Sequence, residues 1–303
     1  MIATGIDLGG TKIEAQIFDA DWACVDRRRI DTPQSYGAIV TALADQITWA
    51  DQRAGKALAV GIGAAGLVNP ATGLAYASNL PTTDLPLPGD VEAALGRKIT
   101  YINDCRALTL SEAVFGAGQG KSSVAGLILG TGVGGGLAID GRLAPSFAAV
   151  GGEFGHFTAS AHLIIEHGLP LVRCGCGRIG CTETLVSGPG LSRIAQRFVG
   201  QGLSPEQLIE ARAVNVMAAQ AWAVWCDLLA DLLITLVFTM DPAAIVIGGG
   251  LSKISGLLED LRPALRRAQL PGFAMPELLI AQGGDASGAR GAAYAALQDR
   301  ANG

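Results

Sequence analysis

The stretch from Gly152 to Glu183 constrains this chain more than any other. It opens with Gly152-Glu153-Phe154-Gly155-His156 and closes with Cys174-Gly175-Cys176-Gly177-Arg178-Ile179-Gly180-Cys181-Thr182-Glu183. Thiolate and imidazole are the ligands structural zinc prefers, and three cysteines with one histidine make a closed tetrahedral set. His156, Cys174, Cys176 and Cys181 are therefore the expected zinc ligands. Glycines between the cysteines let the backbone turn tightly enough for neighbouring sulfurs to face one ion. Four protein ligands leave no open position, so such a zinc is structural. Glu153 and Glu183 flank the ligand set, and a metal that folds this segment also fixes two carboxylates. The alternative is a group of buried or disulfide-linked cysteines beside a core histidine. The crowding of Cys-x-Cys-x4-Cys with glycine favours the metal.

Beyond this stretch, 303 residues suffice for two lobes and a substantial core. Half of them are hydrophobic (50%), aromatics are scarce (5%) and Gly reaches 42, as in an α/β protein with many tight turns. A net charge of −5 with no long basic run argues against a nucleic-acid partner. Met1-Ile2-Ala3-Thr4-Gly5-Ile6-Asp7 reads directly as a strand, without the basic start of a signal peptide. The apolar segment from Trp222 to Phe238 is interrupted by Asp227 and Asp231, which suits a buried helix better than a membrane span. Cys24, Cys105 and Cys226 are scattered, as reduced thiols are in a cytoplasm. The expectation is a soluble, cytoplasmic protein without a membrane partner.

Ile2 to Asp7, the turn Leu8-Gly9-Gly10-Thr11-Lys12 and the alternating run Ile13 to Phe18 predict a β-hairpin. Val25 to Ile30 predicts a third strand, Ala38 to Trp49 a helix and Ala57 to Ile62 a buried strand. Leu67 to Asn79 suggests a small hairpin, Val91 to Leu95 a short helix, and Ile99 to Ile102 a strand that ends at Asn103-Asp104 before a helix from Ala107 to Phe115. The opening pattern then recurs. Val124 to Leu129, the turn Gly130-Thr131-Gly132-Val133-Gly134-Gly135-Gly136 and Leu137 to Ile139 match the first hairpin in type and order. Such a repeat predicts two related lobes facing a cleft. The expected division is residues 1–118, residues 119–285 and a helix in 286–303 returning to the first lobe. Helices around Leu191–Phe198 and Val214–Phe238, a buried strand Ala244–Ile247 and a last helix Ala286–Leu297 complete the pattern. The long insert between His156 and Cys174, with His162, Glu166 and His167, reads as a solvated loop.

The chemistry sits in the turns. Backbone N–H groups of glycine turns can converge on phosphate oxygens because no Cβ blocks them. Two such turns, one containing Gly9, Gly10, Thr11 and Lys12 and the other Gly130, Thr131, Gly132 and Gly134, would hold a polyphosphate. Asp7 can orient a magnesium-bound water. Gly248, Gly249 and Gly250 follow a buried strand; they either admit a purine or ribose to the backbone or form a tight connection. Asp285 reads first as a helix cap. Asn103-Asp104 lies where α/β folds place ligands, and a carboxylate there can accept the proton of an attacking hydroxyl. The equal alternative is Asp104 as a helix N-cap.

Taken together, Asp7-Leu8-Gly9-Gly10-Thr11-Lys12, Asn103-Asp104, Gly130-Thr131-Gly132-Val133-Gly134-Gly135-Gly136, Glu153-Phe154-Gly155-His156 and Cys174-Gly175-Cys176-Gly177-Arg178-Ile179-Gly180-Cys181 resemble the ROK family of sugar kinases. The resemblance runs from Asp7 to Ser287-Gly288-Ala289-Arg290-Gly291-Ala292-Ala293. It implies a two-lobed actin-like ATPase fold, related to ribonuclease H, and phosphorylation of a hexose with ATP and Mg2+. By that resemblance Asp104 is the general base, and Asn79, Asn103, Asp104, Glu153, His156 and Glu183 contact the sugar. The site motifs and Pro170-Leu171-Val172-Arg173-Cys174-Gly175-Cys176-Gly177 are most similar to bacterial N-acetylglucosamine kinases, while Gly5 to Pro33 is as similar to fructokinases. N-acetylglucosamine is therefore the expected substrate, with transfer to its 6-hydroxyl. Fructose, glucose, mannose and N-acetylmannosamine are the alternatives. Dimers are common among such relatives, so a homodimer is expected. One departure stands out: the family's Gly-x-Pro-Gly turn reads Gly63-Ala64-Ala65-Gly66 here. Two other classes, a non-catalytic sugar-responsive regulator and an ATPase without a sugar substrate, fit less well. The chain begins at its first strand with no helix-turn-helix, and the zinc stretch lies beside two carboxylates.

Overall fold

The computed structural model describes residues 1–77, 79–284 and 287–302. In chain order, β1 (Ala3–Leu8) and β2 (Lys12–Phe18) form the first glycine hairpin, β3 (Cys24–Asp31) extends it, and α1 (Tyr36–Ala54) follows. Next come β4 (Ala59–Ala64), the short pair β5 (Leu67–Val68) and β6 (Ala75–Tyr76), α2 (Leu87–Leu95), β7 (Thr100–Asn103) and α3 (Asp104–Phe115). The second hairpin is β8 (Ser123–Leu129) and β9 (Val133–Ile139), followed by β10 (Arg142–Leu143), α4 (Ala161–His167), α5 (Glu183–Val186), α6 (Gly188–Val199) and α7 (Pro205–Ala211). The long α8 (Val216–Met240), β11 (Ala244–Gly248), α9 (Leu257–Ala268), β12 (Glu277–Ile280) and α10 (Ser287–Asn302) complete the chain.

The two large sheets have the same construction. The first runs β3-β2-β1-β4-β7 and the second β10-β9-β8-β11-β12. In the first, β1 is antiparallel to β2 and parallel to β4, and β4 is parallel to β7. In the second, β10 is antiparallel to β9, and β11 is parallel to both β8 and β12. A strand order repeated position for position is the structural counterpart of the hairpin repeat in the sequence. The chain forms two compact units. One comprises Met1–Ser122, Gly136–Gly152 and Gln282–Gly303, and the other Ser123–Gly135 and Glu153–Ala281.

In the first unit, Ile6, Leu8, Ile13 and Ile62 of the sheet pack with Ile39, Leu43 and Ile47 of α1 and with Leu87 and Val91 of α2. The α1 residues recur every four positions, so one stripe of that helix faces the sheet. The helix stops at Gly55, whose φ of 66° is the left-handed cap that glycine takes without a Cβ penalty. On the sheet's other face, α10 lies with its backbone against the strands. A Cβ added at Gly5 would sit 1.8 Å from Ala289 O, and one at Gly61 would sit 1.9 Å from Ala292 O. No other residue permits that approach.

The second unit is built around α8, which by length and composition would suffice to cross a membrane. It is instead a core helix: Trp225, Leu229, Leu233 and Leu236 are buried, and the indole of Trp225 donates to Val186 O at 3.1 Å. The insert between His156 and Cys174 departs from the expected solvated loop. It contains α4, which buries Leu163 and ends at Gly168 with a left-handed φ of 56°. His162 hydrogen-bonds Ser160 Oγ at 2.9 Å, and His167 packs near the Phe198 ring, so both have local partners. Asp285, the expected cap of the last helix, lies outside the described residues.

Candidate functional site

The candidate site residues fall into one group in each unit. In the first, the β1–β2 turn is closed by Gly9 N–H donating to Lys12 O at 3.0 Å. Thr32 anchors it, with its hydroxyl on Gly9 O (2.7 Å) and its N–H on Thr11 O (3.0 Å). Thr11 projects to solvent at the tip. A Cβ at Gly10 would meet Asn79 O at 3.1 Å, so the segment with the exposed Asn79 rests on this turn. Asp7 sits one residue before the end of β1, and a Cβ at Gly288 would lie 3.7 Å from its Oδ1. The hairpin, Asn79, Asp7 and the start of α10 thus converge.

Asn103-Asp104 ends β7 and opens α3. The capping question left open by the sequence is decided by the backbone. Asn103 has extended dihedrals and its Oδ1 accepts from Cys105 N (2.9 Å) and Arg106 N (3.2 Å), so Asn103 is the N-cap. Its Nδ2 donates to Gly66 O at 3.0 Å. That bond fixes the Gly63-Ala64-Ala65-Gly66 loop without the proline, and Gly66 itself has a left-handed φ of 97°. Asp104 is relieved of capping the helix; its Oδ1 accepts from the adjacent Cys105 N–H at 2.9 Å, and the Cys105 and Asn103 side chains also hydrogen-bond its carboxyl. Burial pushes its carboxyl above the usual range against the pull of these hydrogen bonds. A carboxylate that is costly to keep charged is a better proton acceptor than one in water.

In the second unit, the β8–β9 turn is closed by Gly130 N–H on Gly132 O at 3.0 Å, and Gly188 N–H donates to Gly130 O at 2.8 Å. Thr131 and Gly132 are exposed at its tip. The triple glycine divides into two roles. A Cβ at Gly249, where φ is 85°, would lie 2.4 Å from Leu129 O, so this glycine is required by its neighbour strand. Gly250 has nothing within 4 Å of a would-be Cβ and leaves its backbone approachable.

The Cys/His stretch folds as one cluster. The ligand atoms of His156, Cys174, Cys176 and Cys181 all lie within 4.8 Å of one another. His156 Nδ1 is 3.6 Å from Cys174 Sγ, and Cys176 Sγ is 3.6 Å from Cys181 Sγ. Neighbouring ligands of a tetrahedral zinc, at about 2.3 Å from the metal for sulfur, lie roughly 3.5–3.8 Å apart. The donor set and its spacing therefore fit zinc. The same 3.6 Å excludes a disulfide, whose sulfurs are about 2.05 Å apart, and none of the six cysteines is disulfide-bonded. Burial pushes the Cys174 thiol up to about 12 and also raises Cys181, whereas the Arg178 N–H lowers Cys176. Buried thiolates of this kind are stabilised by a cation at their centre.

The two acidic flanks are both close to the cluster. His156 Nε2 is 3.5 Å from Glu153 Oε2, on the ring edge away from the sulfurs, as expected of a carboxylate that orients a metal-bound imidazole. Glu183 opens α5, and its Oε2 accepts from Val133 N–H at 2.8 Å while its Oε1 lies 3.5 Å from Cys174 Sγ. The sequence places Glu183 beside the cysteines but carries no signal for its bond to the β8–β9 turn.

The ROK family model matches residues 3–299 of the chain. The N-acetylgalactosamine kinase of Shewanella sp. (strain ANA-3) is 44% identical over 292 residues, which cover 95% of this chain and 94% of that protein. The N-acetyl-D-glucosamine kinase of Escherichia fergusonii is 39% identical over 300 residues, covering 97% and 99%. Among solved structures, the ROK hexokinase from Thermus thermophilus is similar over 100% of both chains, with a TM-score of 0.89 and 32% identity.

Proposed function

Because this chain belongs to the ROK family and has its actin-like ATPase fold, we propose that it transfers the γ-phosphoryl group of ATP to a hydroxyl of an N-acetylhexosamine. The observation that carries this reading is the identity, across nearly the whole length of both chains, to two kinases of N-acetylated hexosamines. N-acetylglucosamine is the first substrate, phosphorylated at its 6-hydroxyl. N-acetylgalactosamine is the second reading, favoured by the 44% identity to a kinase of that sugar, against 39% for the glucosamine kinase.

The residues divide the work. Asp104 accepts the proton of the attacking hydroxyl as the new O–P bond forms and the bond to the ADP oxygen breaks. Its burial and the transfer of helix capping to Asn103 support that role. Asn79, Asn103, Glu153, His156 and Glu183 bind the sugar, and the tips at Gly9–Lys12 and Gly130–Gly134 bind the phosphates. The purine-ribose end lies against Gly248–Gly250, where the open backbone at Gly250 supports it. Asp7 would hold magnesium through a bound water, and that ion would supply neutralisation of the phosphate charge. Zinc held by His156, Cys174, Cys176 and Cys181 supplies rigidity rather than chemistry, because all four positions are filled by protein.

The test is a coupled ADP-release assay with ATP and magnesium across N-acetylglucosamine, N-acetylgalactosamine, N-acetylmannosamine, glucose, mannose and fructose. The reading stands if an N-acetylated hexosamine has the highest kcat/KM, and the better of the first two decides between them. A higher kcat/KM for an unacetylated sugar overturns the substrate class. No sugar-stimulated ADP release overturns the kinase.

A further inference from the structure

We infer that Glu183 is a positioning residue for the nucleotide: one carboxylate ties the Cys/His cluster to the second glycine turn, so that the metal's presence and ATP affinity are linked. The inference rests on the reading that this turn binds the ATP phosphates. Oε2 of Glu183 accepts the Val133 N–H at 2.8 Å, directly after the turn tip, and so fixes where β9 starts. The fit there is tight: a Cβ at Gly132 would stand 3.0 Å from the same oxygen, and one at Gly155 would stand 3.1 Å from Glu183 Cβ. The other oxygen, Oε1, lies 3.5 Å from Cys174 Sγ.

The backbone of Glu183 is in turn set by the cluster. Cys181 is two residues before it, Thr184 Oγ1 donates to Cys181 O at 2.7 Å, and Thr182 N–H donates to Phe157 O at 2.8 Å. A metal bound by Cys181 and Cys174 thus fixes Glu183 from both its main chain and its neighbour. Removing the metal releases the carboxylate that holds the turn. A hydrogen bond to a carboxylate in a partly buried setting is stronger than a neutral one, and the turn's N–H groups bind phosphate only when they point to a common centre. By linkage, whatever the metal contributes to nucleotide binding the nucleotide returns to metal binding.

The experiment is calorimetric titration of a non-hydrolysable ATP analogue with magnesium and no sugar, so that any direct contact of Glu183 with sugar is silent. Wild type, Glu183→Ala and Glu183→Gln are compared, with zinc content and Tm measured for each. Expected are full zinc content in all three, analogue affinity about tenfold weaker in Glu183→Ala, and recovery of most of it in Glu183→Gln, which keeps an oxygen for Val133. Chelation of zinc weakens the wild type by a similar factor and changes Glu183→Ala little. Should Glu183→Ala fail to fold, Glu183→Asp, one methylene shorter and so drawn back from the Val133 N–H, replaces it with the same expected loss and the same refuting outcomes. Unchanged analogue affinity in folded Glu183→Ala, or equal effects of chelation with and without the carboxylate, overturns the coupling. A wild type that binds no analogue overturns the nucleotide reading itself.

Discussion

Replacing Asp104 with asparagine separates chemistry from stability in a way the structure specifies. Asparagine has the same shape and keeps an Oδ1 for the Cys105 N–H, now at 2.9 Å, and the helix cap belongs to Asn103, which is untouched. The fold and the sugar site therefore survive, while the group that takes the proton is gone. General-base catalysis contributes about 10²–10⁴-fold, so kcat falls by that factor, or roughly 3–5.5 kcal/mol of barrier, with sugar KM within about threefold. Stability moves the other way. Burial raises the folded-state value of Asp104 above its usual 3.8, so between the two values the folded chain binds more protons than the unfolded one. Its contribution is then favourable at low pH and is lost as pH rises through the folded value. Above that value the wild type holds a half-buried, destabilising charge that asparagine lacks. Steady-state kinetics and melting curves at pH 4 and pH 7.5 test both halves: Asp104→Asn has a higher Tm than wild type at pH 7.5, with a smaller gap at pH 4. A near-normal kcat removes Asp104 from the role of base, and a lower Tm at neutral pH refutes the account of its burial.

Cys176→Ser, at a half-buried member of the proposed zinc set, is expected to lower zinc content in metal analysis to background and to lower Tm by roughly 5–10 °C, equivalent to about 3 kcal/mol. Glu112 is fully buried and accepts from the N–H groups of Ala117 and Gln282 (both 3.0 Å), Gly283 (2.7 Å) and the Ser287 hydroxyl (2.7 Å). Glu112→Ala orphans these donors and costs about 3–5 kcal/mol, read by denaturant unfolding. Burial alone would raise the Glu112 carboxyl, but the four donors outweigh it and hold it below its usual 4.5. Its stabilisation is complete above that value and lost as pH falls through the lowered one, so Glu112→Gln flattens the acid limb of a Tm–pH profile. Gly249→Ala forces a Cβ to 2.4 Å from Leu129 O at a left-handed φ and costs about 2 kcal/mol or more, whereas Gly250→Ala leaves Tm unchanged and weakens only ATP binding in a titration.

Local patterns made much of this legible. The two hairpins were readable because alternating strands interrupted by glycine turns are a short-range signal, and both sheets are built around them. The cysteine cluster was readable because its ligand types and spacing allow few other uses. Asn103-Asp104 was readable as a place but not as a division of labour, since both residue types cap helices well and only the extended dihedrals at Asn103 decide between them. Helix α4 was missed because its seven residues bury only Leu163, too little to make a stripe. Glu112 gave no signal at all: its donors Gln282, Gly283 and Ser287 lie at the other end of the sequence, and a glutamate in a helix is ordinary. N-acetylglucosamine was read from motif likeness, but discrimination from its 4-epimer depends on a few contacts with one hydroxyl, which leave no mark on composition or spacing.

The docking of α10 on Gly5 and Gly61 sets a schedule for the protein's synthesis. A ribosome delivers β1, β2 and β4 well before α10, and at about 5–20 residues per second the interval between β4 and α10 is roughly 10–45 s. Throughout that time the first sheet has one face covered by α1 and α2 while the other, floored by glycine, is covered only where α3 meets β4 at Ala107 and Gly63. This unit therefore waits for a helix made after every segment of the other unit. Its nascent form is the state that chaperones would hold, and substitutions along α10 would be felt as lost yield of folded protein before they are felt as lost activity.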